Sequence, residues 1–90
     1  MYIFDIALFH LVGFMDIKAM RKLIGHRIKV RRVELNMKQE ELGAVLGLTQ
    51  AQISEWEIGR RALRIEQAVD LAKGLKTSVA YLVGESEARG

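Results

Sequence analysis

Ninety residues allow one domain and only a modest buried core. With no cysteine there is no disulfide framework of the kind that staples small secreted domains, and with no proline the chain suits helices joined by short turns. The net charge of +3 is mild, but it is unevenly spread: Lys18, Arg21, Lys22, Arg27, Lys29, Arg31 and Arg32, half of the 14 Lys and Arg, come with no acidic residue among them. Such a run is either a solvated helix face or a footprint for phosphate or an anionic membrane.

The chain divides into an extension, residues 1–15, and a domain, residues 16–90. Residues 1–14 are apolar apart from Asp5, His10 and Gly13. That stretch is shorter than the roughly 20 residues that cross a bilayer. No Lys or Arg precedes it and no small-residue cleavage site follows, so it does not read as a signal peptide. It is apolar on every side, so neither helix nor strand is favoured. A segment this apolar is expected to be covered, and packing across a dimer interface is the expectation. Translation starting instead at Met15 or Met20 would make it an upstream stretch.

From Asp16 onward the spacing is helical. Ile24, Ile28 and Leu35 mark one face of a first helix, and Asn36, which tolerates left-handed backbone, stands where it should stop. Leu42, Val45 and Leu46 give the i, i+3, i+4 face of a second helix that begins near Lys38–Gln39 and ends at Gly47. Thr49 is a good N-cap for a third helix, with Gln52 three residues on as in a capping box. Ile53 and Trp56 are its inward side and Gly59 closes it. Ile65, Ala68, Leu71, Ala72 and Leu75 form a fourth stripe. Ser78 caps a short fifth helix carrying Val79, Leu82 and Val83; Tyr81 and its neighbours are either core or dimer surface. The fold class is therefore all-α: a compact five-helix domain with an apolar N-terminal extension. Its core should draw on Ile28, Leu42, Leu46, Ile53, Trp56, Leu71 and Leu82.

The informative stretch is QEELGAVLGLTQAQISEWEI, Gln39 to Ile58. Only Gly47 and Leu48 separate two short helices, so they must cross steeply around Leu42, Leu46, Leu48, Ile53 and Trp56. Gly43 is small where the helices pass closest. This is the helix-turn-helix arrangement that projects one helix into a DNA major groove. On a wheel of 100° per residue, Ile53, Trp56 and Glu57 point inward together, while Ala51 and Glu55 point away. Gln50 stands at the N-terminal tip, the end that enters the groove. Candidate base readers are Gln50, Ala51 and Glu55, with Ser54 and Gln52 at the margins. Gln can pair with adenine N6 and N7, Glu can accept from cytosine N4, and a methyl can touch the thymine methyl. Candidate phosphate contacts are Lys38, Thr49, Arg60 and Arg61, which would position the protein without reading sequence. Trp56, on the inward side, reads as core rather than as a stacking platform.

Across RIKVRRVELNMKQEELG, LGLTQAQISEWEIGRR and AVDLAKGLKTSVAYLVGE, the chain resembles the phage Cro/repressor-type, or XRE-type, helix-turn-helix family, in register from about Ile24 to Glu85. The resemblance implies that Gln39 clamps a phosphate and braces Gln50. It also implies that Arg32 and Glu57 pair across the first and third helices. Three positions depart from the family pattern. Lys38 replaces a capping Ser or Thr, Leu63-Arg64 replaces a frequent Pro-Ser, and Lys76 stands where Gly is common, at a cost of about 1 kcal/mol in left-handed backbone. The implied function is sequence-specific DNA binding by a cytoplasmic transcriptional regulator, a repressor occupying a short near-palindromic operator as a homodimer. The chain stops just after the fifth helix, so regulation by a following domain is not expected.

Competing readings are an antitoxin-like or adaptor protein whose residues 1–14 bind a protein partner, and peripheral membrane attachment through those residues and the basic run. An enzyme is not expected. His10 and His26 stand in unrelated contexts, no nucleophile–base set or carboxylate pair can be assembled, and there is no Gly-rich phosphate loop. No metal, cofactor or small-molecule ligand is expected either.

Overall fold

A computed structural model describes residues 16–90, so every expectation placed on residues 1–15 lies outside the described residues. The described residues form five helices and no strand: α1 Ile17–Glu34, α2 Gln39–Leu46, α3 Gln50–Glu57, α4 Ile65–Gly74 and α5 Val79–Leu82. None of them is long and apolar enough to cross a membrane.

Local sequence fixes the boundaries. The Asp16 carboxylate caps α1 by accepting from the Ala19 N–H at 2.6 Å. Thr49 caps α3 through the Gln52 N–H, and Gln52 Oε1 in turn accepts from the Thr49 N–H at 2.9 Å, completing the capping box. At α2 and α4 the cap residues are Lys38 and Arg64, which have no side-chain acceptor. There the reciprocal half alone remains, with Glu41 and Gln67 accepting from the cap N–H groups at 3.0 Å. Each helix then stops through left-handed backbone, at Asn36, Gly47, Gly59, Lys76 and Gly84 in turn. Asn36 (φ 55°) and Lys76 (φ 51°) do so despite carrying a Cβ, as their positions in the sequence suggest.

α1 lies against α3 and α5, α3 against α2, and α2 against α4. Ile28, Leu42, Ile53, Leu71, Leu75 and Leu82 are fully buried between them, with Trp56 and Tyr81 nearly so. Tyr81 therefore belongs to the core. Trp56 does too, its indole N–H donating to the Ala62 carbonyl at 3.3 Å.

Three expectations need correcting. Val45 is 63% exposed and does not share the inward face of α2. Leu46 is only half-buried, packed on the edge of the core. The cause is Gly43: it is buried against the Leu48 carbonyl, so the inward arc of α2 runs Leu42–Gly43–Leu46 and leaves Val45 about 100° away. Ile65, at the first turn of α4, is 65% exposed, and the buried stripe starts at Ala68 instead.

Gly25, unremarked in the apolar pattern, sets how α1 meets α3. A Cβ there would collide with the Trp56 carbonyl oxygen and lie 2.6 Å from that of Glu57. The backbones of the two helices touch at this point.

The basic run also divides in two. Arg27 donates to the Tyr81 and Ser86 carbonyls at 3.0 and 2.8 Å, with its guanidinium 4.6 Å from the Tyr81 ring centroid. Arg31 donates to the Leu75 carbonyl at 2.8 Å and to that of Lys76 at 3.1 Å. These two arginines and Arg32 tie the fold together. Lys18, Arg21, Lys22 and Lys29 remain exposed.

Candidate nucleic-acid interface

The tight α2–α3 connection leaves the N-terminus of α3 at the surface. Gly47, at φ 69°, makes the turn, and the Leu48 N–H returns to the Gly43 carbonyl at 2.8 Å. Gln50 and Ala51 are exposed at the tip, Ser54 and Glu55 are half-exposed, and Ile53, Trp56 and Glu57 face inward as the wheel requires.

One hydrogen-bonded chain runs from the interior to that tip. Glu57, 7% exposed, is the buried charged residue of the core. Arg32 holds it with a two-pronged bond, Nε to Oε2 at 2.6 Å and Nη2 to Oε1 at 3.1 Å, and spends Nη1 on the Met37 carbonyl at 2.7 Å. Gln39 Nε2 donates to Glu57 Oε1 at 2.9 Å, and Gln50 Nε2 donates to Gln39 Oε1 at 2.6 Å. Four residues from three helices thus share one network, with its charge inside and its amide end in solvent. A buried ion pair of this kind is worth more for geometry than for net stability, and removing one partner alone is costly.

The other candidate residues divide. Gln52 has its carbonyl oxygen committed to the α3 cap, so it keeps only its amino group for a partner. Glu55 faces outward but sits 3.4 Å from the Arg61 guanidinium, an ion pair that a cytosine or a phosphate would have to compete with. Thr49 is exposed beside Gln50, and Lys38 and Arg60 are exposed at either side of α3 in the chain. The structure joins Gln39 to Gln50 and Arg32 to Glu57; it does not join Lys38 or Arg60 to either group. Sequence reasoning missed Gly25 and the bracing role of Arg27 and Arg31. A lone glycine inside a helical pattern was the available signal for the first.

Residues 28–82 match the family described as helix-turn-helix. The chain belongs to that family. Among its relatives, Repressor protein C2 of Salmonella phage P22 is 36% identical over 62 residues, which cover 69% of this chain and 29% of the relative. A transcriptional regulator from the ATPase CF(0) region of Rhodospirillum rubrum is 31% identical over 64 residues, covering 71% and 59%. The chain thus spans 29% to 59% of the length of the curated relatives it matches. Among solved structures, the P22 c2 repressor in complex with a synthetic operator superposes with a TM-score of 0.67 at 34% identity, over 71% of this chain and 97% of that one. The same fold also forms part of hydroxypropylphosphonic acid epoxidase from S. wedmorenis. The match there has a TM-score of 0.70 at 28% identity and covers 35% of that chain. Fold alone therefore does not assign the role; the site must do so.

Proposed function

We propose that this chain is a sequence-specific DNA-binding transcriptional regulator, acting as a repressor on a short near-palindromic operator. The observation that carries the reading is the pair Gln39–Gln50 at the exposed tip of α3, anchored through Glu57 to the core. A braced glutamine at the end of a projecting helix is suited to a base edge, because its rotamer freedom is already spent. Gln50 and Ala51 are the foremost readers. Glu55 reads only when it leaves Arg61, and Ser54 and Gln52 stand at the margin. Lys38, Gln39, Thr49, Arg60 and Arg61 contact phosphates. The role we propose is binding rather than catalysis: the ionisable pair within the site, Arg32 and Glu57, is spent on itself. As a binder of duplex DNA, the protein would work in the cytoplasm, with the nucleoid. The likeness to a repressor solved on its operator supports the same reading.

A homodimer would set two recognition helices one DNA turn apart, about 34–36 Å, on a two-fold site. Selection of bound sequences from random duplexes tests the function and the symmetry together. On the selected site, Gln50→Ala should relax one position per half-site and lose about 1–3 kcal/mol. Arg60→Ala should weaken all sequences alike and reduce the salt slope by about one. Equal loss on specific and random DNA in Gln50→Ala would remove α3 as the reader.

A further inference from the structure

The network Glu57–Gln39–Gln50 has a direction. An ionised carboxylate only accepts hydrogen bonds, whereas a glutamine amide has an accepting end and a donating end. Glu57 therefore compels Gln39 to turn its Nε2 inward, at 2.9 Å. That leaves Gln39 Oε1 facing Gln50, which must answer with its own Nε2, at 2.6 Å. Gln50 is left to show solvent its Oε1 and one remaining N–H: one acceptor and one donor. With the direction reversed, Gln50 Oε1 would be turned inward and both N–H groups would face out.

These two presentations suit different bases. Adenine offers a donor at N6 and an acceptor at N7 in the major groove, while guanine offers two acceptors, N7 and O6. We propose that Glu57 and Gln39, neither of which need touch a base, set the preference of Gln50 for adenine over guanine by fixing the direction of this amide chain. The proposal rests on Gln50 being a base reader. Glu57 is a positioning residue in it. Gln39 keeps its second N–H for a phosphate, so clamping and direction-setting do not compete.

Gln39→Lys provides the test. A lysine only donates, so it can satisfy Glu57 and at the same time require Gln50 to turn Oε1 inward. Gln39→Met is the companion, because it removes the constraint without imposing the opposite one. Thermal unfolding confirms that each variant is folded; Gln39→Arg, also a pure donor, stands in for Gln39→Lys if that variant is not. Affinities are then measured for operators carrying adenine or guanine at the position that Gln50→Ala relaxes. The adenine-to-guanine ratio should fall by about 5- to 150-fold in Gln39→Lys, the span of one bidentate base contact. In Gln39→Met it should fall part of the way without inverting. Binding to random duplex should not lose affinity in Gln39→Lys. An adenine preference retained in Gln39→Lys, or identical behaviour of the Lys and Met variants, overturns the proposal while Gln50 remains the reader. If Gln50→Ala relaxes no position, the reading of Gln50 fails and this inference fails with it.

Discussion

Replacing Gly25 with alanine should destabilise the domain although the change favours helix. By propensity alone, alanine inside α1 gains about 0.5–1 kcal/mol. Against that, the new methyl would overlap the Trp56 carbonyl oxygen and stand 2.6 and 2.8 Å from the Glu57 carbonyl oxygen and carbon. All three are backbone atoms of α3 and cannot rotate away, so the two helices must part by about an ångström to reach ordinary contact. Overpacking of this kind costs about 1–3 kcal/mol. The separation also stretches the Arg32–Glu57 bonds, which favours the upper end, for a net loss of about 2 kcal/mol. In a domain of this size that lowers Tm by about 8–16 °C, readable by circular dichroism. Gly74→Ala is the control. There the methyl meets only the Leu42, Val45 and Leu46 side chains at 3.6–3.8 Å, so propensity should win by about 0.5–1 kcal/mol. Equal effects of the two substitutions, or a Gly25→Ala protein as stable as its parent, would refute the close approach of α1 and α3.

Leu42→Ala should cost about 2–5 kcal/mol in urea unfolding, and half-buried Leu46→Ala about half as much. Thr49→Ala removes the α3 cap and should cost about 1 kcal/mol. Since the cap orders the turn beside Gln50, hydrogen exchange at the Gln52 amide should quicken in the same variant. Arg27→Met should cost about 1.5–3 kcal/mol through its two carbonyl bonds, with faster proteolysis after Val83. Its contact with Glu87, whose side chain is 87% exposed, contributes little of this.

Much of this was legible because it depends on short-range rules. Thr49 with Gln52, Asn36, Gly47 and the Ile53–Trp56–Glu57 triplet are read within four residues, and the structure agrees with each. The pairing of Arg32 with Glu57 spans 25 residues and came only through family resemblance. What periodicity could not give was the centre of each buried arc. Val45 and Ile65 fit a three-four spacing as well as Leu42 and Ala68 do; the contact of Gly43 with the Leu48 carbonyl decides the first case, and the long-range packing of α4 the second. Charge was similarly opaque. Arg27 and Arg31 look like Lys22 and Lys29 in a sequence, yet their partners lie some 45 to 60 residues downstream.

Those distant partners have a consequence for how the chain is made. The α2–α3 turn needs only about twenty consecutive residues and closes few loops, so it is suited to forming while synthesis continues. α1 emerges first but finishes last. Its guanidinium at position 27 has no carbonyl to hold until residues 81 to 86 have left the ribosome, and the buried face around Ile28, covered on one side by α3, is completed only when Leu82 arrives. A nascent chain paused at α4 would expose an incomplete apolar surface beside a strongly basic helix. Surface of that kind is prone to aggregation until the last helix covers it.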